Sequence, residues 1–199
     1  MLIALDDHDN RIQPLRNKAA FCPHCKQRVI SKCGDIIVWH WAHEVKCIFD
    51  SEPETEWHTK WKVRALVHGL TIEHAFERHI TDAIDLKNKY CYEFQYSPIS
   101  RIDLLSRSME YKSNGFIIKW IFDYKDKYDK DELIVTNIDE KTVKFQQKWA
   151  KRTIISIFEG NSRLFGVLFF DIGGQAILIK KLHENGNGWG LLTPYSEVL

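Results

Sequence analysis

Four of the five cysteines and three of the nine histidines lie in one stretch, FCPHCKQRVISKCGDIIVWHWAHEVKC, at residues 21–47. Cys22 and Cys25 have the C-x₂-C spacing that supplies half of a tetrahedral zinc site. The second half has four candidates in the same stretch: Cys33, His40, His43 and Cys47. Because two or three thiolates are typical of closed structural zinc rather than catalytic zinc, this stretch predicts a small zinc-stabilised fold.

We expect the zinc ligands to be Cys22, Cys25, His43 and Cys47, since this set resembles a C₂HC finger closed by a helical turn. His40 is the alternate ligand, with a packed or hydrogen-bonded histidine as its other interpretation. Hydrophobic residues at 36–39 indicate a strand that leads into His40.

The composition is that of an ordinary globular protein, with 44% hydrophobic and 28% charged residues. No apolar run approaches the ~20 residues that a membrane span needs. The amino terminus, MLIALDDHDN, does not resemble a signal peptide. We therefore expect a cytoplasmic protein, since a reducing compartment favours metal ligation by clustered cysteines over disulfides.

The net charge of +1 argues against a protein that coats nucleic acid through a general basic excess. Basic, aromatic runs do occur locally, as KWKVR at 60–64 and KFQQKWAKR at 144–152. Such runs are either solvated faces or local contacts for a nucleic acid.

A length of 199 residues suits one domain, or one domain with a small appendage. Trp57, Trp61 and Ala65 recur at helical spacing, which predicts a helix at about 53–68. The later expected elements are strands at 70–76, 81–86 and 89–97, a helix at 100–115 and a strand at 116–124. The strand–helix–strand ending favours a parallel crossover.

Further strands or short helices are expected in VKFQQKW, TIISIF, LFGVLFFD and QAILIKKL, with a turn at Gly173-Gly174. The predicted fold class is α/β (α+β), with a mixed sheet flanked by helices. A strand and zinc finger occupy residues 1–50, and a larger domain occupies 51–199, with its core at 53–124 and an extension at 125–199.

Two carboxylates are expected to meet on this sheet. Side chains alternate along YCYEFQYS, so Glu93 and Gln95 lie on the face opposite the aromatic residues. If Lys87-Asn88 is a two-residue turn, Asp82 lies opposite Glu93, with Cβ atoms about 5 Å apart. Carboxylates that close repel unless a cation such as Mg²⁺ or Mn²⁺ lies between them. The alternative is that both are surface residues on an exposed sheet face.

A wider set of residues then resembles a known family. The set comprises CPHC at 22–25, HWAH at 40–43, Cys47, Glu56, His58, Glu73, TDA at 81–83, EFQYSPIS at 93–100, Arg107, Tyr111, Gly115 and Trp120. In this order, from Cys22 to about Tyr124, it resembles the CoiA-like competence-associated family, in which a zinc finger accompanies a PD-(D/E)xK-type nuclease domain.

The resemblance implies a PD-(D/E)xK restriction-endonuclease-like fold and a Mg²⁺- or Mn²⁺-dependent endonuclease that acts on DNA. Asp82 and Glu93 would bind the metal with the backbone carbonyl of Phe94, and metal-bound water would attack the phosphodiester. Many relatives have lysine where this chain has Gln95, which can hold the water by hydrogen bonds. Glu73 either completes the metal shell or is an exposed strand residue.

His58 is either a general base or phosphate ligand, or an ordinary helical histidine. Arg107, Tyr111 and Lys60 are the expected substrate contacts, with a framework role as the alternative for the first two. The rival functions are a non-catalytic zinc-finger DNA-binding protein with a vestigial nuclease fold and, less favoured, a zinc-stabilised protein-interaction module.

Overall fold

The computed structural model describes residues 1–35, 38–45, 55–147 and 166–199. The chain divides into two compact units, Met1–Ile84 and Asp85–Leu199. The predicted boundary at residues 50–51 and the predicted strand TIISIF lie outside the described residues. Within the described ranges, no helix is long and apolar enough to cross a membrane.

The first unit begins with a small antiparallel sheet in the order β2-β1-β3-β4-β5. Its strands are β1 Ala4–Leu5, β2 Arg11–Ile12, β3 Ala19–Phe21, β4 Arg28–Lys32 and β5 His40–His43. We call it the amino-terminal sheet. One face buries Ala20, Val29 and Trp41 together with Cys22. Because this core is small, the sheet depends on other contacts for its stability.

Helix α1, Glu56–Val67, follows as the tryptophan periodicity predicts. The Thr55 hydroxyl caps it by accepting a hydrogen bond from the His58 N–H at 3.2 Å. Trp61 and Ala65 are fully buried, and Gly69 follows the helix with φ +77°. The unit ends with an antiparallel pair, β6 Thr71–Ala75 and β7 Ile80–Asp85. Helix α1 contacts β6.

The second unit opens with a four-residue turn at 86–89, so the expected two-residue turn at Lys87-Asn88 is wrong. The Asp85 carboxylate closes this turn by accepting the N–H groups of Lys87 and Asn88 at 3.0 and 2.9 Å. Two backbone hydrogen bonds to one carboxylate thus stabilise a longer turn than the simple hairpin rule assumes.

A parallel crossover follows, as expected from the strand–helix–strand pattern. It consists of β8 Tyr90–Gln95, α2 Arg101–Ser113 and β9 Ile117–Asp123. Strands β8 and β9 are parallel, with Glu93 opposite Trp120. The Ser100 hydroxyl caps α2, and Gly115 follows the helix with φ +82°.

The remaining elements of the second unit are α3 Lys125–Asp129, β10 Leu133–Asn137, β11 Thr142–Gln147, β12 Val167–Asp171, β13 Ala176–Leu182, β14 Gly188–Thr193 and α4 Tyr195–Val198. Its strands run in the order β10-β11-β14-β13-β12-β9-β8. Strand β12 pairs with β9 in parallel, and β12, β13 and β14 pair antiparallel in sequence. The expected mixed α+β architecture is confirmed, and the described residues contain many strands and few helices.

Candidate active site and metal centre

A cysteine and histidine cluster lies at one end of the amino-terminal sheet. The candidate ligand atoms of Cys22, Cys25 and His43 all lie within 4.8 Å of one another. Cys25 Sγ and His43 Nε2 are 3.3 Å apart, close to the ~3.6 Å between two ligands of one tetrahedral zinc ion. This donor set can hold a metal ion such as zinc.

A backbone turn at residues 22–26 holds the thiols of Cys22 and Cys25 near each other. The Lys26 N–H donates to the Cys22 carbonyl at 3.1 Å, and Lys26 has a left-handed φ of +58°. The His24 N–H donates to Cys22 Sγ at 3.4 Å. Burial raises the pKa of the Cys22 thiol. A cation that offsets the thiolate charge would therefore favour ionisation at this position.

His43 reaches the cluster from β5, where it lies opposite Val29 of β4. His40, the alternate ligand, instead has its Nδ1 3.0 Å from the Val38 carbonyl oxygen. Cys33 is a free thiol outside the group of three found among the described residues. Cys47 and the helical turn expected to close the finger lie wholly or partly outside the described ranges.

A second cluster in the first unit surrounds Asp82, which is only 9% exposed. His58 Nε2 lies 2.8 Å from Asp82 Oδ1, and Lys62 Nζ lies 3.4 Å from the same oxygen. His58 and Lys62 are one turn apart on α1 and so project from one side of that helix. The alternative that Asp82 is an exposed surface residue is wrong.

Glu73 is 3% exposed, so its expected alternative as an exposed strand residue is also wrong. Its Oε1 accepts the Leu2 N–H at 2.7 Å and the Lys62 ammonium at 2.9 Å. Its Oε2 accepts the Ile3 N–H at 2.8 Å. The carboxylate therefore joins α1 to the first residues of the chain. Lys60, by contrast, pairs with Glu56 at 2.7 Å on the exposed side of the helix.

The second unit holds a matching arrangement around Glu93, which is 2% exposed. Arg107 Nη1 donates to Glu93 Oε2 at 2.7 Å, and the Tyr111 hydroxyl donates to Oε1. Arg107 and Tyr111 are one turn apart on α2, so one helix face holds the carboxylate. The surface interpretation of Glu93 is wrong. Gln95 is buried and donates to the Ser97 carbonyl at 2.7 Å.

Lys62 is the site residue that the sequence reasoning missed. It lies in the basic run at 60–64, where Lys60 drew attention as the helical partner of Glu56. The available indication was the i, i+4 spacing between His58 and Lys62. Glu73, the other partner of Lys62, is remote enough in sequence that spacing cannot pair them.

Comparison with known proteins gives two family matches. The model described as "Competence protein CoiA, N-terminal domain" matches residues 5–49, which include the cysteine and histidine cluster. The model described as "Competence protein CoiA, nuclease-like domain" matches residues 81–169, which include Asp82 and Glu93. No curated protein and no solved structure gives a significant match. The two matched segments lie in the family's order and cover most of the chain, which therefore belongs to the CoiA-like family of competence proteins.

Proposed function

We propose that this protein is a metal-dependent endonuclease that cleaves or nicks DNA through a PD-(D/E)xK-like domain. The observation that carries the proposal is the burial of Asp82 and Glu93 within the segment that matches a nuclease-like family domain. Buried carboxylates are costly unless they are paired, and such groups cluster at binding and catalytic sites.

Asp82 and Glu93 are the proposed ligands of one Mg²⁺ or Mn²⁺ ion, together with the backbone carbonyl of Phe94. Carboxylate and carbonyl oxygens are the hard donors that these ions prefer, so the residues fit the metal. When bound, such an ion acidifies water and neutralises charge on a phosphodiester. The pairing of Asp82 with Glu93 rests on the sequence alternation and on the short connection between their strands.

The neighbouring side chains have proposed roles that follow from their contacts. Arg107 and Tyr111 fix the orientation of Glu93, since each donates to a different carboxylate oxygen. His58 fixes Asp82 and is the proposed general base or phosphate ligand. Gln95 is proposed to orient the attacking water, and the exposed Lys60 to contact the DNA backbone.

Zinc is the proposed structural metal of the amino-terminal sheet, held by Cys22, Cys25, His43 and Cys47. Support comes from two thiols and one imidazole whose ligand atoms lie within 4.8 Å of one another. Three or four such ligands make a closed site that stabilises a fold too small to do so through apolar burial alone.

Plasmid cleavage tests the proposed activity. Supercoiled DNA is incubated with Mg²⁺ or Mn²⁺ and with wild type, Asp82→Asn or Glu93→Gln. Asp123→Asn, a carboxylate-to-amide change outside the site, is the matched control. We expect each site variant to lose at least about 100-fold in cleavage rate, because a metal ligand is removed, while the control retains it. A wild type that does not cut, or cutting that survives both site changes, contradicts the proposal.

The rival function, DNA binding without cleavage, has one observation in its favour. Asp82 and Glu93 already pair with the charged side chains of Lys62 and Arg107, which offset the two carboxylates without a metal. Retarded migration of DNA in a gel, with no cleavage under either metal, would support this function instead.

A further inference from the structure

Lys62 places a buried ammonium group between two buried carboxylates of the first unit. The Lys62 side chain is 7% exposed, and its Nζ lies 2.9 Å from Glu73 Oε1 and 3.4 Å from Asp82 Oδ1. A buried ammonium is strongly unfavourable unless carboxylates compensate it. Lys62 therefore belongs energetically to this cluster and is not a solvated helix residue.

Glu73 is itself held in place, which fixes the ammonium. Besides Lys62, the Glu73 carboxylate accepts backbone N–H groups from Leu2 and Ile3 at 2.7 and 2.8 Å. The Arg11 guanidinium donates to the backbone carbonyls of Ile72 and Glu73. Glu73 also has φ +51°, a left-handed conformation that is unfavourable for a residue with a Cβ atom. Several contacts thus impose one position on this side chain.

We infer that Lys62 is a positioning residue for Asp82. Its ammonium orients the Asp82 carboxylate and offsets part of its charge, and Glu73 holds the ammonium in place. The ammonium aligns Asp82 and repels a cation that binds to the same carboxylate, whereas Glu73 attracts such a cation. The site then binds a divalent metal only moderately, and it keeps a fixed positive charge beside the carboxylate. This inference deepens the proposed function and rests on it.

The two partners of one ion pair should then change metal affinity in opposite directions. Lys62→Met removes a repulsive charge, so we expect the dissociation constant for Mn²⁺ to fall about tenfold. Glu73→Gln removes an attractive charge, so we expect it to rise by a similar factor. A pair with only a structural role would weaken metal binding from either side, because both changes would disorder Asp82.

Mn²⁺ binding to the zinc-loaded protein, measured by electron paramagnetic resonance, tests the inference without requiring cleavage. Asp82→Asn identifies the relevant site, and Lys125→Met, which breaks an exposed helical ion pair with Asp129, is the control. Maximal cleavage should also fall about 100-fold in Lys62→Met while less Mg²⁺ is needed for half-maximal rate. Lys62→Arg, which keeps the charge, should restore most of that rate.

Mn²⁺ affinity that shifts in the same direction in both variants, or in neither, overturns the inference, as does Mn²⁺ binding that survives Asp82→Asn. If Lys62→Met alone does not fold, Lys62→Met combined with Glu73→Gln is compared with Glu73→Gln, and tighter Mn²⁺ binding is again expected. If the two variants shift Mn²⁺ affinity in opposite directions but the protein never cuts DNA, the inference is upheld and the proposed function is contradicted. If the protein cuts DNA but both variants shift Mn²⁺ affinity in the same direction, the proposed function is upheld and the inference is contradicted.

Discussion

Each candidate catalytic carboxylate is held by two side chains one turn apart on a helix. On α1 the pair is His58 and Lys62, which contact Asp82; on α2 it is Arg107 and Tyr111, which contact Glu93. Each pair projects polar side chains from one face of its helix. A carboxylate bound in this way is fixed before any ligand arrives, which is the preorganisation that a metal or phosphate site requires.

Tyr111→Phe tests that preorganisation at a single atom. Tyr111 is fully buried, and its hydroxyl donates to Glu93, so its loss leaves a buried carboxylate oxygen short of a donor. We expect a loss of about 1–3 kcal/mol in the free energy of unfolding and a clear drop in cleavage rate. Urea denaturation measures the first. Tyr124→Phe, which removes a buried hydroxyl bonded to Gln147, is the control that should lose stability but not activity.

Asp123→Asn should stabilise the protein near neutral pH. Burial, then the charges of Asp171 and Asp126, raise the pKa of Asp123 in the folded state. The ionised form is therefore disfavoured on folding, and stability is lost as the pH rises from the unfolded pKa of about 3.9 through the folded value. We expect a gain of about 0.5 kcal/mol at pH 7 that disappears below pH ~4.

Asp139→Asn is the control for Asp123→Asn, and its expected effect on stability has the opposite sign. Hydrogen bonds from the backbone N–H groups of Lys141 and Thr142 lower the pKa of the exposed Asp139. This carboxylate contributes stability above its unfolded pKa, and the contribution is lost as the pH falls through the folded value. Asp139→Asn should therefore destabilise at pH 7 in the same denaturation series. A gain from Asp139→Asn, or a loss from Asp123→Asn, would contradict the electrostatic explanation.

At the level of elements, local patterns predicted what local physics controls. The tryptophan spacing predicted α1, and the helix expected at 100–115 is α2, Arg101–Ser113. Strand β14 was not predicted because two glycines, which are depleted in strands, interrupt its sequence, GWGLLT. A Cβ at Gly188 or Gly190 would lie 2.1 or 2.4 Å from a carbonyl oxygen of β13, so packing requires glycine there.

The candidate site could be predicted only from patterns along neighbouring strands. Alternation along β8 identified Glu93 and Gln95, and hairpin spacing selected Asp82. The contacts of Glu73 with Leu2 and Ile3 join residues about 70 positions apart, and no periodicity in the sequence records such a contact. For the same reason, sequence patterns could not decide whether Glu73 is a metal ligand or an exposed residue. They also gave no role to Lys62.

The amino-terminal sheet should depend on its metal. Cys22 is buried in the small core of this sheet, and burial raises the pKa of its thiol. Ionisation of this thiol is therefore unfavourable without a bound metal. We expect Cys22→Ser to lose bound zinc, measured by elemental analysis, and to lower the melting temperature. Cys33→Ser, outside the group of three, should retain both. Equal zinc content in the two variants would contradict the assigned ligands.

Two family segments match the chain, and the proposed acidic pair, Asp82 and Glu93, lies in the second of them. The proposal therefore gives each chain a single cleavage site. One such site can break only one phosphodiester bond in each encounter with DNA. With a net charge of +1, the chain lacks the general electrostatic attraction that would hold it on DNA between two cuts. One chain should therefore release the DNA after a single-strand break.

Supercoiled plasmid should then pass through the nicked circle before any linear form accumulates. In a time course at limiting protein, we expect the nicked form to rise first, with an initial rate proportional to protein concentration. A pair of chains acting together would instead give a rate that rises with the square of concentration, and linear product without a nicked intermediate. That result would contradict a single-site nickase and place two copies of Asp82 and Glu93 on opposite strands.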